Sequence, residues 1–399
     1  MILAPALKVF WVLAALLAIQ SLIALREVFR FLAFVRRRRR EPPGDFLPRA
    51  AVIIPCKGLD AGFGENLQAF LTQDYPHYQL VFAVAREADP AHAALSEKLR
   101  GLPQASLVVA GEAEAQGEKV HNLVQALGAV DPAAEVLAFA DIDARPGQDW
   151  LHSLVARLAD PGITVSTGFR WYLPGTGFAS RLRAAWDTSI ATMLGEHGRN
   201  FAWGGSMAIR ASDFRRLQVA ERYWKGTVSD DYALARAVRD SRGRIAFEPR
   251  CLVASHEEST LAELLHWTNR QIIITHVYAP HLWRLGLAAH LLYATTMLGG
   301  VALIFAPDIT LTARIGIAAA LAAIQILGVA KGVIRTVVAR ETFPEEQDLR
   351  GNSYWTLEPI VPWLMLYNFV VAGFARRIEW RGTVYELRSM SEVRVLRRD

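Results

Sequence analysis

The run Val136-Leu-Ala-Phe-Ala140 ends abruptly in Asp141-Ile-Asp143. A continuous apolar stretch of this length reads as a strand buried on both faces, the mark of a parallel sheet covered by helices. Open α/β sheets bind ligands at the carboxyl ends of such strands. Two carboxylates one residue apart at that end can share a hard divalent cation, Mg2+ or Mn2+, of the kind that also holds substrate phosphates. The same Asp-x-Asp occurs in plain solvated loops. The two readings, a metal-bridged nucleoside diphosphate and an ordinary turn, are separated by the rest of the chain.

Strand-like runs at 51–54, 79–85, 106–110 and 136–140 alternate with helix-like stretches at 65–73, 91–99 and 118–129. That alternation predicts a parallel, doubly wound α/β sheet. A further strand is expected at 163–168 and a helix at 180–194. A Gly-rich loop follows, with Gly204 and Gly205 running into Ala208-Ile209. Paired glycines let backbone approach a ligand closely, or simply mark a turn. Asp230 and Asp231 open the next helix, where an Asp is most often a cap. A strand or strand pair at 244–254 and a helix at 261–276, carrying His266, Trp267 and Arg270, complete the domain. No GxGxxG follows the first strand and no Walker A sequence occurs, which disfavours dinucleotide and P-loop folds.

The composition is 52% hydrophobic, and the excess sits at the two ends. The run at 9–25 is just long enough to span a bilayer and is followed by Arg26, Arg30 and Arg36 to Arg40. That flank predicts an uncleaved anchor whose C-terminal side is cytoplasmic. Runs at 286–306 and 315–330 can form a helical hairpin across the membrane, followed by a charged stretch at 339–353. A last run at 360–374 contains Pro362 and Asn368. It is shorter than the ~20 residues a span needs. It is therefore expected to be re-entrant or interfacial, because a third crossing would carry the basic tail outside against the positive-inside rule. The expected division is a membrane anchor and basic linker over 1–44, a cytoplasmic catalytic domain over 45–280, and a C-terminal membrane region with basic tail over 281–399. The net charge of +5 lies beside the apolar segments rather than over a nucleic-acid surface. It points to anionic lipid head groups at an integral membrane protein, in the inner membrane if the source is bacterial. Two cysteines, Cys56 and Cys251, are too few for a disulfide framework, and a reduced compartment is expected.

Several short motifs occur in a telling order. They are Val52-Ile-Ile-Pro-Cys-Lys57-Gly58, Gln73-Asp74-Tyr75-Pro76, Asp89-Pro90-Ala91 and Lys119-Val-His-Asn122-Leu123. Then come Asp141 with Asp143, Ser229-Asp230-Asp231-Tyr232 and, near the end, Glu379-Trp380-Arg381-Gly382. In this order and spacing the chain resembles the membrane-anchored glycosyltransferases of the GT-A fold, families 2 and 21. Its layout is similar to that of ceramide glucosyltransferases. The resemblance covers residues 50 to 280 well and the ends in layout. It places Asp89 at the first conserved aspartate of those families, Asp141 and Asp143 at the second, and Asp231 at the third. One motif departs: Glu263-Leu-Leu-His266-Trp267 stands where those families carry (Q/R)xxRW. Arg270 lies one turn further along.

The resemblance implies an inverting hexosyltransferase that moves one sugar from a nucleotide sugar, a UDP-hexose, to the hydroxyl of a membrane lipid such as ceramide. It implies Asp89 on the uracil or ribose, and Asp141 and Asp143 on the metal. Lys119 would lie at the diphosphate and Asp231 would be the general base. Gly204, Gly205, Asp230, His266, Trp267 and Arg270 would lie on the acceptor or diphosphate side. The plainer readings are a helix cap for Asp89 and Asp231, a solvated lysine for Lys119, and core or interface packing for His266 and Trp267. Two rival functions share the features: a processive polysaccharide synthase, and a non-catalytic membrane scaffold with a degenerate α/β domain.

Overall fold

The computed structural model describes residues 3–198, 200–345 and 354–398. Along the chain come helix α1 (Leu3–Arg40), strand β1 (Ala50–Pro55), α2 (Phe63–Leu71), β2 (Tyr78–Val84), α3 (Pro90–Lys98) and β3 (Ala105–Val109). Next are α4 (Glu118–Ala126), β4 (Val136–Ala140), α5 (Trp150–Ala156), β5 (Ile163–Tyr172), α6 (Phe178–Ala191), β6 (Ser206–Arg210), α7 (Ala211–Arg216), α8 (Asp230–Asp240) and β7 (Arg244–Ser255). Helices α9 (Leu261–Tyr278), α10 (Pro280–Phe305), α11 (Leu311–Thr342) and α12 (Val361–Phe374) precede three short strands, β8 (Arg377–Trp380), β9 (Thr383–Ser389) and β10 (Glu392–Arg398). From residue 346 on, the charged stretch expected at 339–353 lies outside the described residues.

The chain packs as two compact units. An α/β unit holds Phe34–Trp171, Leu194–Ser255 and Arg376–Asp399. A helical unit holds Met1–Ala33, Tyr172–Met193 and His256–Ala375. The division expected from hydropathy was sequential, whereas packing interleaves the segments and places the basic tail in the α/β unit.

In the α/β unit seven strands run in the order β3-β2-β1-β4-β6-β5-β7. Strands β1, β2, β3 and β4 are mutually parallel. The expected parallel, doubly wound arrangement holds through β4, and beyond it the sheet is mixed. Strand β6 inserts between β4 and β5 and runs antiparallel to both. Helices cover both faces, which explains the absence of polar alternation in β1 and β4. Val52 and Ile54 join a core with Phe70 of α2, Leu95 of α3 and Trp150 of α5. Ala51 and Ile53 join a second core with Leu123 of α4, Phe214 of α7 and Leu234 of α8. Phe139 of β4 meets Trp224 edge-on at 5.2 Å. Such a pair adds ~0.5–1.5 kcal/mol beyond the burial itself. Gly168 in β5 has its reason here, because a Cβ would collide with the Cys251 carbonyl and the Ser206 hydroxyl.

The tail forms a separate antiparallel sheet, β10-β9-β8. Trp380 pairs with Thr383, so Arg381 and Gly382 alone make the turn, and both have positive φ, 47° and 76°. Two left-handed residues define the hairpin turn whose twist matches its strands. At the other end of the unit, Arg38 of α1 bonds Glu41 at 2.5 Å and the buried Glu248 at 2.9 Å. Part of the basic cluster at 36–40 therefore holds the end of α1 to the sheet.

Among the described residues, three helices are long and apolar enough to cross a membrane: Ala4–Arg40, Pro280–Phe305 and Leu311–Thr342. Helix α12 has 14 residues. At a rise of ~1.5 Å per residue it reaches only ~21 Å, short of the ~30 Å hydrocarbon layer. Polar side chains tie it in: the Trp186 indole donates to Asn368 Oδ1 at 3.1 Å, and the Asn368 amide donates to Thr268 and Asn269. Arg335 of α11 makes two bonds to Glu358, at 2.6 and 2.8 Å, with both side chains almost fully buried.

Candidate active site

Strands β1 and β4 are parallel neighbours, with Ile53 opposite Phe139, so their carboxyl ends open side by side. A cleft of about 100 Å³ lies there. Its lining includes Lys57 after β1, Lys119 at the start of α4, Asp141 and Asp143 after β4, and Trp380 and Arg381 of the tail hairpin. All belong to the α/β unit.

Lys119 bridges two carboxylates, 2.7 Å from Asp141 Oδ1 and 3.3 Å from Asp230 Oδ1. Burial would lower its pKa, but Asp141 and Asp230 hold the ammonium above the ordinary lysine value. Burial pushes the Asp230 carboxyl up to about 7, against the pull of Lys119 and with Asp231 and Asp141 adding to the rise. Burial would also raise Asp143, yet the Arg170 guanidinium, with Arg381 and Lys119 behind it, holds it below the usual carboxylate range. Arg170 Nη2 lies 2.5 Å from Asp143 Oδ1, and its guanidinium stacks over Trp203 at 5.3 Å.

Helix α8 begins in this cluster because Ser229 caps it, its side chain accepting from the Tyr232 amide. The Trp224 indole donates to the Asp230 carbonyl and fixes the first turn. Asp230 points inward and is almost wholly buried, and its Oδ2 has no hydrogen-bond partner. Asp231 is partly exposed. It accepts from the Tyr232 amide at 2.7 Å, from the Gly204 amide at 3.3 Å and from the Ser229 hydroxyl. Gly204 is required by crowding: a Cβ there would meet the Asp230 carboxylate and the Lys119 ammonium. A Cβ on Gly205 would run into the Trp203 ring.

Asp89 caps α3, accepting from the Ala91 amide at 2.9 Å, and also accepts from the Gly58 amide at 2.8 Å. It thereby joins the loops after β1 and β2 at the sheet's carboxyl edge. The structure thus gathers Asp89, Lys119, Asp141, Asp143, Gly204, Gly205, Asp230 and Asp231 in one unit. His266, Trp267 and Arg270 lie on α9 in the helical unit. There Trp267 packs edge-on against Tyr172 at 5.4 Å and Trp186 at 5.2 Å, with Arg183 over its face at 4.5 Å. His266 is exposed.

Three site residues carried no usable signal in the motifs: Arg170, Tyr385 and, apart from its place in Trp-Arg-Gly, Arg381. Each reaches the cleft from an element remote in sequence. Cys56 and Cys251 are free and buried, and burial raises both thiols.

The model of glycosyl transferase family 21 matches residues 9–393, nearly the whole chain.

The chain belongs to glycosyl transferase family 21.

It is accordingly a glycosyltransferase. Ceramide glucosyltransferase 1 of Caenorhabditis elegans is 27% identical over 118 residues, covering 29% of this chain. The match spans about a quarter of that relative, 25% of its length. Among solved structures, a mannosyltransferase from Pyrobaculum calidifontis in complex with GDP-Man and Mn2+ is similar over 90% of this chain and 97% of its own. It is 20% identical, with a TM-score of 0.47. Glucosyl-3-phosphoglycerate synthase from Mycobacterium tuberculosis, in complex with phosphoglyceric acid, is similar over 61% of this chain and 82% of its own. It is 16% identical, with a TM-score of 0.37.

Asp141 and Asp143 offer carboxylate oxygens into one cleft, the ligand type that Mg2+ and Mn2+ take. Both are paired with cations, Asp141 with Lys119 and Asp143 with Arg170, and among the described residues no group of three His, Cys, Asp or Glu is placed to hold a metal ion.

Proposed function

We propose that this family 21 glycosyltransferase moves a single hexose from a UDP-hexose to the hydroxyl of a membrane lipid such as ceramide, by direct displacement with inversion. The observation that carries the reading is the convergence of Lys119, Arg381, Asp141 and Asp143 on one cleft at the carboxyl ends of β1 and β4. Cations there meet a diphosphate, and the carboxylates meet its metal.

In the reaction, the acceptor oxygen bonds to the anomeric carbon while the bond from that carbon to the diphosphate breaks. Asp231 takes the acceptor proton; it is the more exposed member of its pair, and a general base must reach the hydroxyl. A Mg2+ or Mn2+ on Asp141 and Asp143 would neutralise the charge growing on the leaving diphosphate. Lys119 adds a fixed positive charge on the same side. Asp230 is too buried to meet substrate and instead holds Lys119 in place. Asp89 serves the uracil or ribose side.

The sidedness follows from parity. The tail belongs to the same unit as the catalytic carboxylates, so the chain must cross the membrane an even number of times between them. Helices α10 and α11 are long and apolar enough for two crossings, and α12 is too short for a third, which supports this reading. This arrangement leaves the tail beside the catalytic unit, and the positive-inside rule places both in the cytoplasm.

The test is to incubate the purified protein with nucleotide sugars, Mg2+ or Mn2+, and total membrane lipid, and to follow products by mass spectrometry. One lipid gaining one hexose is the expected result. A ladder of additions would favour a processive synthase. No product and no UDP binding would favour the non-catalytic scaffold.

A further inference from the structure

The C-terminal hairpin approaches the cleft from more than two hundred residues beyond Lys119 and Asp141 in sequence, and several contacts fix it there. Arg381 is clamped by Asp60, with Nη1 to Oδ1 at 3.2 Å and Nη2 to Oδ2 at 2.7 Å, and Nη1 also donates to the Lys57 carbonyl at 2.8 Å. The Tyr385 hydroxyl accepts from the Glu118 amide at 3.2 Å. Lys57 reaches Glu118 at 3.1 Å and Thr383 at 3.3 Å. Further along the tail, the Ser391 carbonyl packs against Gly226, where a Cβ would collide with it.

Helix α4 has no side-chain cap, because Gly117 stands at its N-cap. A helix start leaves its first amides without intrahelical partners. One of these is satisfied here by a tail tyrosine, and Lys119 is the next residue. Arg381 meanwhile faces Asp143, with Nη2 3.6 Å from Oδ2. A guanidinium carries five N–H donors in a planar fork that matches phosphate oxygens. Three bonds to Asp60 and Lys57 orient that fork. Those bonds use both Nη1 protons and one Nη2 proton, which leaves the second Nη2 proton and the Nε–H of an oriented guanidinium at the same cleft as Lys119 and Asp141.

We propose that the tail hairpin is part of the donor site: Arg381 binds the diphosphate of the nucleotide sugar, and Tyr385 is a positioning residue that sets helix α4 and, through it, Lys119. This assignment rests on the nucleotide-sugar reading above and adds the residues that only the folded tail supplies. It also gives a reason for the Trp-Arg-Gly order. The arginine sits on a two-residue turn beside a glycine, so its side chain projects from the tip of a rigid hairpin.

The test uses the full chain in detergent and measures UDP and GDP binding with Mn2+ by calorimetry, together with donor and acceptor KM. Arg381→Gln is expected to weaken nucleotide binding and raise donor KM about tenfold or more, the effect of losing one charge-assisted contact. Acceptor KM should stay unchanged and Arg381→Lys should recover part of the loss. Tyr385→Phe should lower kcat and leave acceptor KM unchanged. Arg388→Ala, on the exposed side of the same sheet, should behave as wild type. Unchanged nucleotide affinity and donor KM in Arg381→Gln would overturn the assignment. Should that variant fail to fold, the wild type decides by phenylglyoxal modification read by peptide mass spectrometry. UDP with Mn2+ should protect Arg381 and not Arg388, and equal modification of Arg381 with and without nucleotide would overturn the proposal. Wild-type protein that binds neither UDP nor GDP would overturn the nucleotide-sugar reading itself. Binding without protection overturns only the role of the tail.

Discussion

The Lys119 ammonium lies 2.7 Å from Asp141 Oδ1. This contact joins the start of one helix to the end of the neighbouring strand and sets the charge balance of the cleft. Removing the carboxylate leaves Lys119 with Asp230 and strips one oxygen donor from the proposed metal pair. Asp141→Ala is expected to abolish the part of UDP affinity that depends on Mn2+, read by calorimetry with and without the ion. Full retention of the metal effect would place the ion elsewhere.

Asp231→Asn keeps the size of the side chain and one acceptor oxygen, which can serve the Tyr232 amide now on Oδ1 or the Gly204 amide now on Oδ2 but not both, and it cannot take a proton. Turnover should fall by roughly 10²–10⁴, the usual contribution of a general base. UDP binding should stay within a small factor of wild type. Unimpaired turnover would remove Asp231 from the base role.

Asp230 gives a pH signature. Its folded-state pKa, up to about 7, lies above the ordinary carboxylate value of 3.8. The folded protein therefore holds this proton more tightly than the unfolded chain. The stability it contributes is fully present below the unfolded pKa and is lost as pH rises through about 7. Without divalent ions, thermal midpoints of the wild type should decline across that window, and those of Asp230→Asn should decline less. Parallel profiles would show that the carboxyl titrates at its ordinary value.

Arg335 and Glu358 form a buried pair in the helical unit. Arg335→Ala strands a buried carboxylate, and breaking such a pair costs roughly 3–5 kcal/mol. Thermal unfolding in detergent should show the loss. The double variant Arg335→Met with Glu358→Leu should recover most of it, since an apolar replacement removes both charges together. Equal stability of Arg335→Ala and wild type would mean that the pair is solvated.

The sequence by itself determined the elements whose cause is local. An unbroken apolar run marked β4, and Asp141 and Asp143 at its end marked the ligand edge of the sheet. Ser229, Asp230 and Asp231 marked the start of α8, and the length and apolarity of α10 and α11 marked two candidate crossings. Burial on both faces and capping are written in neighbouring residues, so one window suffices to read them. The tertiary structure alone decided what depends on partners distant in the chain. It set β6 antiparallel between β4 and β5, a pairing across residues far apart in the chain. It divided the work of Asp230 and Asp231, since one side chain points at Lys119 and the other at the Gly204 amide. It brought Arg170 and Arg381 to Asp143 and drew the basic tail into the α/β unit. A guanidinium has no periodicity and announces no partner. Its role is fixed by the carboxylate that folding sets before it.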